Sequence, residues 1–157
     1  MPGGFTAGIL GRNGATTASM KALVDADLAA MTAPSLVWLR HILVNIGAND
    51  IGGAMPTEAG FKADLGYILD AFHIKWPNAT VYVASPWERG ATANANTLAG
   101  WIAAVVAARS SWAFAGPDER TWLENGDDGA TYTIDGIHYS SAGNTAAQQQ
   151  WMTAMGY

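Results

Sequence analysis

A carboxylate stands three residues before an imidazole in Asp135-Gly136-Ile137-His138. On a glycine-containing turn, that spacing lets Asp135 accept a hydrogen bond from the ring Nδ1–H of His138. The other ring nitrogen is then free to take a proton from a hydroxyl nucleophile. A second segment, Gly47-Ala48-Asn49-Asp50, follows an apolar run. The Asn49 carboxamide there can donate an N–H toward a developing oxyanion. Each segment has an ordinary reading as well: Asp-x-x-His is a common string, and Gly-x-Asn-Asp is a turn closed by its own side chains. What gives the two weight together is the place that the surrounding elements assign to both.

Those elements alternate between short β-like runs and longer helical stretches. Phe5 to Leu10 is a weak strand candidate. Thr16 or Thr17 can cap a helix to about Thr32, with Met20, Leu23, Val24, Leu28 and Met31 at helical spacing. The second half of Leu36 to Ile46, from Ile42, reads as a strand covered on both faces. Thr57 can cap a helix with the stripe Phe61, Leu65, Ile68, Leu69 and Phe72, ended by Pro77-Asn78. Thr80 to Ala84 is a strand stopped by Ser85-Pro86. Leu98, Trp101, Ile102, Val105 and Val106 mark another helix, with Arg109 suited to its C-terminal dipole. Trp112 to Ala115 is a short strand closed by Gly116-Pro117, and a last helix runs from Ser140 or Ser141 to about Met155. Such alternation predicts one α/β domain over residues 1–157 with a mainly parallel sheet. In such sheets ligands bind beyond the carboxyl ends of the strands. This directs attention to Asn45 to Gly53, Ser85 to Gly90, Gly116 to Arg120 and the loop around Asp135.

Composition removes several alternatives. The chain has 157 residues, enough for one domain with its own core. Half of the residues are hydrophobic and 13% are charged, which argues against disorder. Thirteen acidic against 8 basic residues, with no Lys/Arg cluster, argue against a nucleic-acid surface. Without cysteine there is no disulfide scaffold, thiol nucleophile or thiolate metal site. The longest apolar stretch, Leu98 to Ala108, falls about a third to a half short of a membrane span. No basic region precedes an apolar run at the N-terminus, so no export signal is visible. A soluble protein is expected, its compartment left open. His41 and His73 have no ligand pattern around them, so no metal site is expected.

With these residues in place, the sequence resembles the SGNH hydrolases, also called GDSL-type esterases and lipases, whose four blocks supply Ser, Gly, Asn and His. Gly47-Ala48-Asn49-Asp50 matches the Asn block. Asp135-Gly136-Ile137-His138-Tyr139-Ser140-Ser141-Ala142-Gly143 matches the His block, and Asn13-Gly14-Ala15-Thr16-Thr17 resembles the Gly block. The similarity runs from about Phe5 to the end. It implies a flavodoxin-like three-layer sandwich, Asp135 orienting His138, and His138 as general base and then acid. The Asn49 side chain and the Gly14 backbone N–H would form the oxyanion hole, with no cofactor.

The block that carries the nucleophile is missing. Gly-Asp-Ser occurs nowhere, and only 13 residues precede Gly14. By alignment Phe5 to Leu10 corresponds to the family's second strand, so the first strand is absent. In the flavodoxin-like order that strand is central, and its loss leaves unpaired edges. Phe5 to Leu10 pairing with the Leu36 to Ile46 strand, a second copy of the chain, or a missing N-terminal segment of a longer protein would each answer this. Ser85, Thr16 and Thr17 are weak candidates for the nucleophile. Ser-Pro after a strand is an ordinary turn start, and the threonines suit a helix N-cap. Ser19 is expected on the first helix turn, and Ser140 and Ser141 as caps of the last helix. Trp87 is a candidate substrate wall; Arg89 and Arg120 stand in loops at the same edge.

The expected function is hydrolysis of short acyl or acetyl esters, with a small ester or acylated carbohydrate as substrate. The competing expectation is a non-catalytic carbohydrate- or ester-binding module on the same scaffold. A third arrangement has a partner chain or an upstream segment donating the serine.

Overall fold

The computed structural model describes residues 12, 14–32, 39–124 and 130–157. The Phe5 to Leu10 strand candidate and the start of the Leu36 to Ile46 run lie outside the described residues. The described elements, in chain order, are α1 (Thr17–Ala30), β1 (His41–Val44), α2 (Ala48–Gly52), α3 (Glu58–Lys75) and β2 (Thr80–Ser85). They continue with α4 (Thr92–Ala107), β3 (Ala113–Asp118), α5 (Glu119–Leu123) and α6 (Ser141–Ala154). This is an α/β fold with a small parallel sheet in the order β1-β2-β3, flanked by helices.

The helix starts follow from local chemistry. Thr16, Thr57 and Ser140 each accept a backbone N–H three residues on, from Ser19, Gly60 and Gly143. A side-chain oxygen there satisfies one of the donors that a first helical turn leaves open. The apolar stripes then decide packing. Met20, Val24 and Leu28 of α1 join Phe61, Leu65, Ile68, Leu69 and Phe72 of α3 and Leu98, Ile102 and Val105 of α4 in one core. That core lies against Ile42, Val44, Val81 and Val83, the residues of β1 and β2 that alternate onto one sheet face.

On the opposite face, Leu43, Tyr82 and Phe114 stand in register across the three strands. Leu43 and Phe114 are each 46% exposed. The expectation that the Ile42 strand is covered on both faces is therefore corrected: its residues alternate, with Ile42 and Val44 buried on one side and Leu43 exposed on the other. The chain end after α6 reaches this second face, where Tyr157 meets His41 at a ring separation of 6.3 Å.

Two further boundaries differ from expectation. Gly116-Pro117 does not close β3, which runs on to Asp118 through a register shift opposite Val83 and Ser85. Among the described residues β3 pairs with β2 alone, so the missing N–H of Pro117 leaves no second ladder unsatisfied. The short helices α2 and α5, at the ends of β1 and β3, carry too few residues for a periodic signal and were expected as loops. Arg109, beyond α4, does close that helix: it donates to the Val105 carbonyl and pairs with both oxygens of Asp70 on α3.

Candidate active site

The Asp135 turn is built by its own carboxylate. Asp135 Oδ1 accepts the backbone N–H of Ile137 at 3.0 Å and of His138 at 2.9 Å. Its other oxygen receives His138 Nδ1 at 2.7 Å. These donors, led by the backbone N–H of His138, favour the ionised form and hold the Asp135 carboxyl well below the usual carboxylate range. An ionised acceptor on Nδ1 places the ring proton there and leaves Nε2 with its lone pair. The turn is closed by an antiparallel bridge between Thr133 and Tyr139 and by Ile134 N–H donating to the His138 carbonyl at 2.8 Å. The two side chains stay open to solvent, His138 at 69% and Asp135 at 51%.

Asn49 sits in the first turn of α2, immediately after β1. That helix begins at Gly47, whose φ of 115° is left-handed. A Cβ at Gly47 would also lie 2.7 Å from Leu98 Cδ2 and 3.0 Å from Pro86 Cγ, so neither the backbone angle nor the space admits a side chain. Asn49 Nδ2 donates to the Ala15 carbonyl at 3.0 Å. Next to it, Asp50 Oδ2 accepts both the backbone N–H and the hydroxyl of Thr17. The Gly14 to Thr17 segment is thus fastened to the Asn49 loop at two points. Gly14 itself has a left-handed φ of 69°.

The two halves meet through the loop after β2. On one side, a Cβ at Gly52 would fall 2.0 Å from Glu88 Oε2. On the other, Arg89 N–H donates to the Gly136 carbonyl at 3.0 Å, and Gly136 faces the Arg89 stem. The Asp135–His138 turn and the helix α2 that carries Asn49 therefore border one loop, Pro86 to Gly90, at the carboxyl end of the sheet. Their link is indirect, through that loop.

Of the weak nucleophile candidates, Thr16 and Thr17 are occupied. Thr16 caps α1, and the Thr17 hydroxyl is buried on Asp50. Ser140 accepts from Gly143 N–H and donates to the Thr131 carbonyl. Ser85 is half-buried at the last residue of β2. Trp87 is 2% exposed, so its ring belongs to the interior and not to an open substrate wall. Arg120 is held by Asp118 and by Asn96. His73 stacks on Trp112 with ring centroids 4.2 Å apart, and His41 packs between Tyr82 and Tyr157. Among the described residues no group of three or more His, Asp or Glu could hold a metal.

One residue of this region escaped the sequence reading. Glu119, 5% exposed, receives the Asn45 carboxamide at 2.6 Å, the Trp87 backbone N–H at 3.3 Å and the Tyr139 hydroxyl. Burial pushes its carboxyl upward against these three donors, and burial with the neighbouring Glu119 pushes the Tyr139 hydroxyl up as well. The available signal was an acidic pair, Asp118-Glu119, shortly after a predicted strand, which resembles any solvated loop acid.

Comparison with known proteins settles the kinship of this arrangement. The GDSL-like Lipase/Acylhydrolase family matches residues 3–146. The chain belongs to this family. Two solved structures share the fold of this GDSL-like chain. One is a Clostridium thermocellum family 3 carbohydrate esterase, at a TM-score of 0.62 and 17% identity, covering 90% of this chain and 65% of that one. The other, from Streptococcus pneumonia and assigned as a platelet activating factor, has a TM-score of 0.65 and 22% identity. It covers 92% of this chain and 69% of its own. This GDSL-like chain thus spans about two thirds of the length of these structural relatives. No curated protein matches it in sequence. Among the described residues, no helix is long and apolar enough to cross a membrane.

Proposed function

We propose that this GDSL-like chain hydrolyses short acyl or acetyl esters, of small alcohols or of carbohydrates, by acyl transfer. A hydroxyl oxygen attacks the ester carbonyl carbon while His138 Nε2 takes its proton. The oxygen that gains negative charge is met by the Asn49 carboxamide and the Gly14 backbone N–H. His138 returns the proton to the departing alcohol, and water then releases the acid by the same steps in reverse. The observation that carries this reading is the Nδ1 contact of His138 with an Asp135 carboxylate kept ionised by two backbone N–H groups. Asn49 uses one of its two amide N–H groups on Ala15, which orients the other. The chemistry needs no cofactor.

A second reading rests on the missing Gly-Asp-Ser string. With Thr16, Thr17 and Ser140 committed to structural bonds, the scaffold would bind a carbohydrate or ester without cleaving it. In the third arrangement, a partner chain or an upstream segment of a longer protein supplies the serine.

A fluorophosphonate probe combined with p-nitrophenyl acetate turnover separates these readings. Covalent labelling, with turnover at least about 100-fold lower in His138→Ala, supports the hydrolase. The labelled residue names the nucleophile. Equal turnover by both proteins removes His138 as base, and no labelling with no turnover favours the binding module. Labelling seen only in an N-terminally extended chain assigns the serine to the upstream segment.

A further inference from the structure

Among the described residues, the Asp135 and His138 side chains are each more than half exposed. Their orientation must therefore come from the backbone that carries them. That backbone is anchored at its far end by Tyr139, the residue after His138 and the bridge partner of Thr133. The Tyr139 hydroxyl donates to Glu119 Oε1, which also takes the Asn45 amide at 2.6 Å, while Glu119 Oε2 takes the Trp87 N–H at 3.3 Å. Asn45 directly follows β1, Trp87 lies just past β2, and Glu119 directly follows β3. One buried carboxylate thus ties the end of every strand in the described sheet to the residue beside the imidazole. A buried carboxylate is costly unless its oxygens are filled, and three donors on two oxygens fill them.

We propose that Glu119 is a positioning residue that fixes the Asp135–His138 turn to the carboxyl edge of the sheet through the Tyr139 hydroxyl. The inference rests on the catalytic reading of His138 for its meaning in turnover, but its geometric content can be read without turnover. Tyr139→Phe deletes only the hydroxyl and keeps the ring against Trp122, 5.7 Å away. Glu119→Gln keeps an acceptor for Tyr139 and Asn45 and places an amide N–H2 opposite Trp87 N–H. Tyr67→Phe, which removes a tyrosine–carboxylate bond to Asp25 between α3 and α1, serves as the control.

The decisive measurement is the His138 tautomer by long-range 1H–15N NMR. We expect the Nδ1–H form in the wild-type chain and in Tyr67→Phe. In Tyr139→Phe and Glu119→Ala the Nδ1–H share should fall by about half or more as the turn loosens, with Glu119→Gln restoring most of it. Where ester turnover is measurable, Tyr139→Phe should lower kcat by about 10- to 100-fold with KM within about twofold. A folded Tyr139→Phe protein with the wild-type tautomer overturns the proposal, even if its melting temperature drops. If Glu119→Ala does not fold, Tyr139→Phe alone decides. A shifted tautomer in a chain that turns over no ester keeps the positioning role and removes the catalytic reading. Wild-type turnover with unchanged tautomer and kcat in Tyr139→Phe does the reverse.

Discussion

Thr17 gives both its backbone N–H and its hydroxyl to a single oxygen of Asp50, at 2.9 and 3.0 Å, with both residues buried. The first residue of α1 is thereby pinned to the first turn of α2, and the Gly14 loop is pinned to the Asn49 loop. Asp50→Ala leaves two buried donors on Thr17 without a partner. Each costs about 1–3 kcal/mol, so a loss of about 2–6 kcal/mol in urea unfolding is expected. Asp50→Asn, which retains one oxygen, should lose less. Equal stability of Asp50→Ala and the wild-type chain would show that the pin is replaceable.

Asn49 carries a different expectation. Its carboxamide is exposed and makes one bond to the Ala15 carbonyl, so Asn49→Ala should cost no more than about 1 kcal/mol of stability. As an oxyanion donor, however, its removal should lower kcat by about 100- to 1000-fold. A variant that loses stability and turnover in proportion would assign Asn49 a structural role only.

The Asp135 turn responds to acid with a definite sign. Its folded carboxyl lies below its unfolded value, because the His138 and Ile137 N–H groups and the His138 ring all donate to the ionised form. The contribution of the turn is therefore complete above the ordinary carboxylate range and is lost as pH falls through the lowered folded value. In a 13C carboxyl titration, Asp135 should have a midpoint below that of an unfolded aspartate, with the Ile137 and His138 amide resonances moving alongside it. A midpoint at the ordinary value would mean that the turn opens in solution.

Gly143 is expected to tolerate no side chain. A Cβ there would stand 1.9 Å from the Tyr132 carbonyl oxygen and 3.2 Å from Tyr139 Cβ. Both neighbours border the Thr133–Tyr139 bridge, so relief requires moving the backbone that carries His138. Gly143→Ala should destabilise by about 1–3 kcal/mol in thermal or urea melts. Unchanged stability would show that α6 can shift without disturbing the turn.

Several features were legible in the linear chain because they are local. The caps Thr16, Thr57 and Ser140 act over three residues, and the Asp135–His138 bond spans one turn. The stripe Phe61, Leu65, Ile68, Leu69 and Phe72 declares its buried face by its period. Alternating strands and helices declared a parallel α/β fold. Other features depend on residues far apart in the chain, and no local pattern encodes them. Thr17 meets Asp50 across 33 positions and Asn45 meets Glu119 across 74. The row Leu43, Tyr82 and Phe114 exists only once three strands are in register. Trp87 reads as a loop aromatic, yet burial depends on what packs around it, and the fold encloses it. Short-range hydrogen bonds and periodicity thus determined which elements form and which side chains can pair within a turn. Which distant carboxylate receives the tyrosine beside the imidazole, and which loop stands between the two halves of the site, was decided only when the strands came side by side.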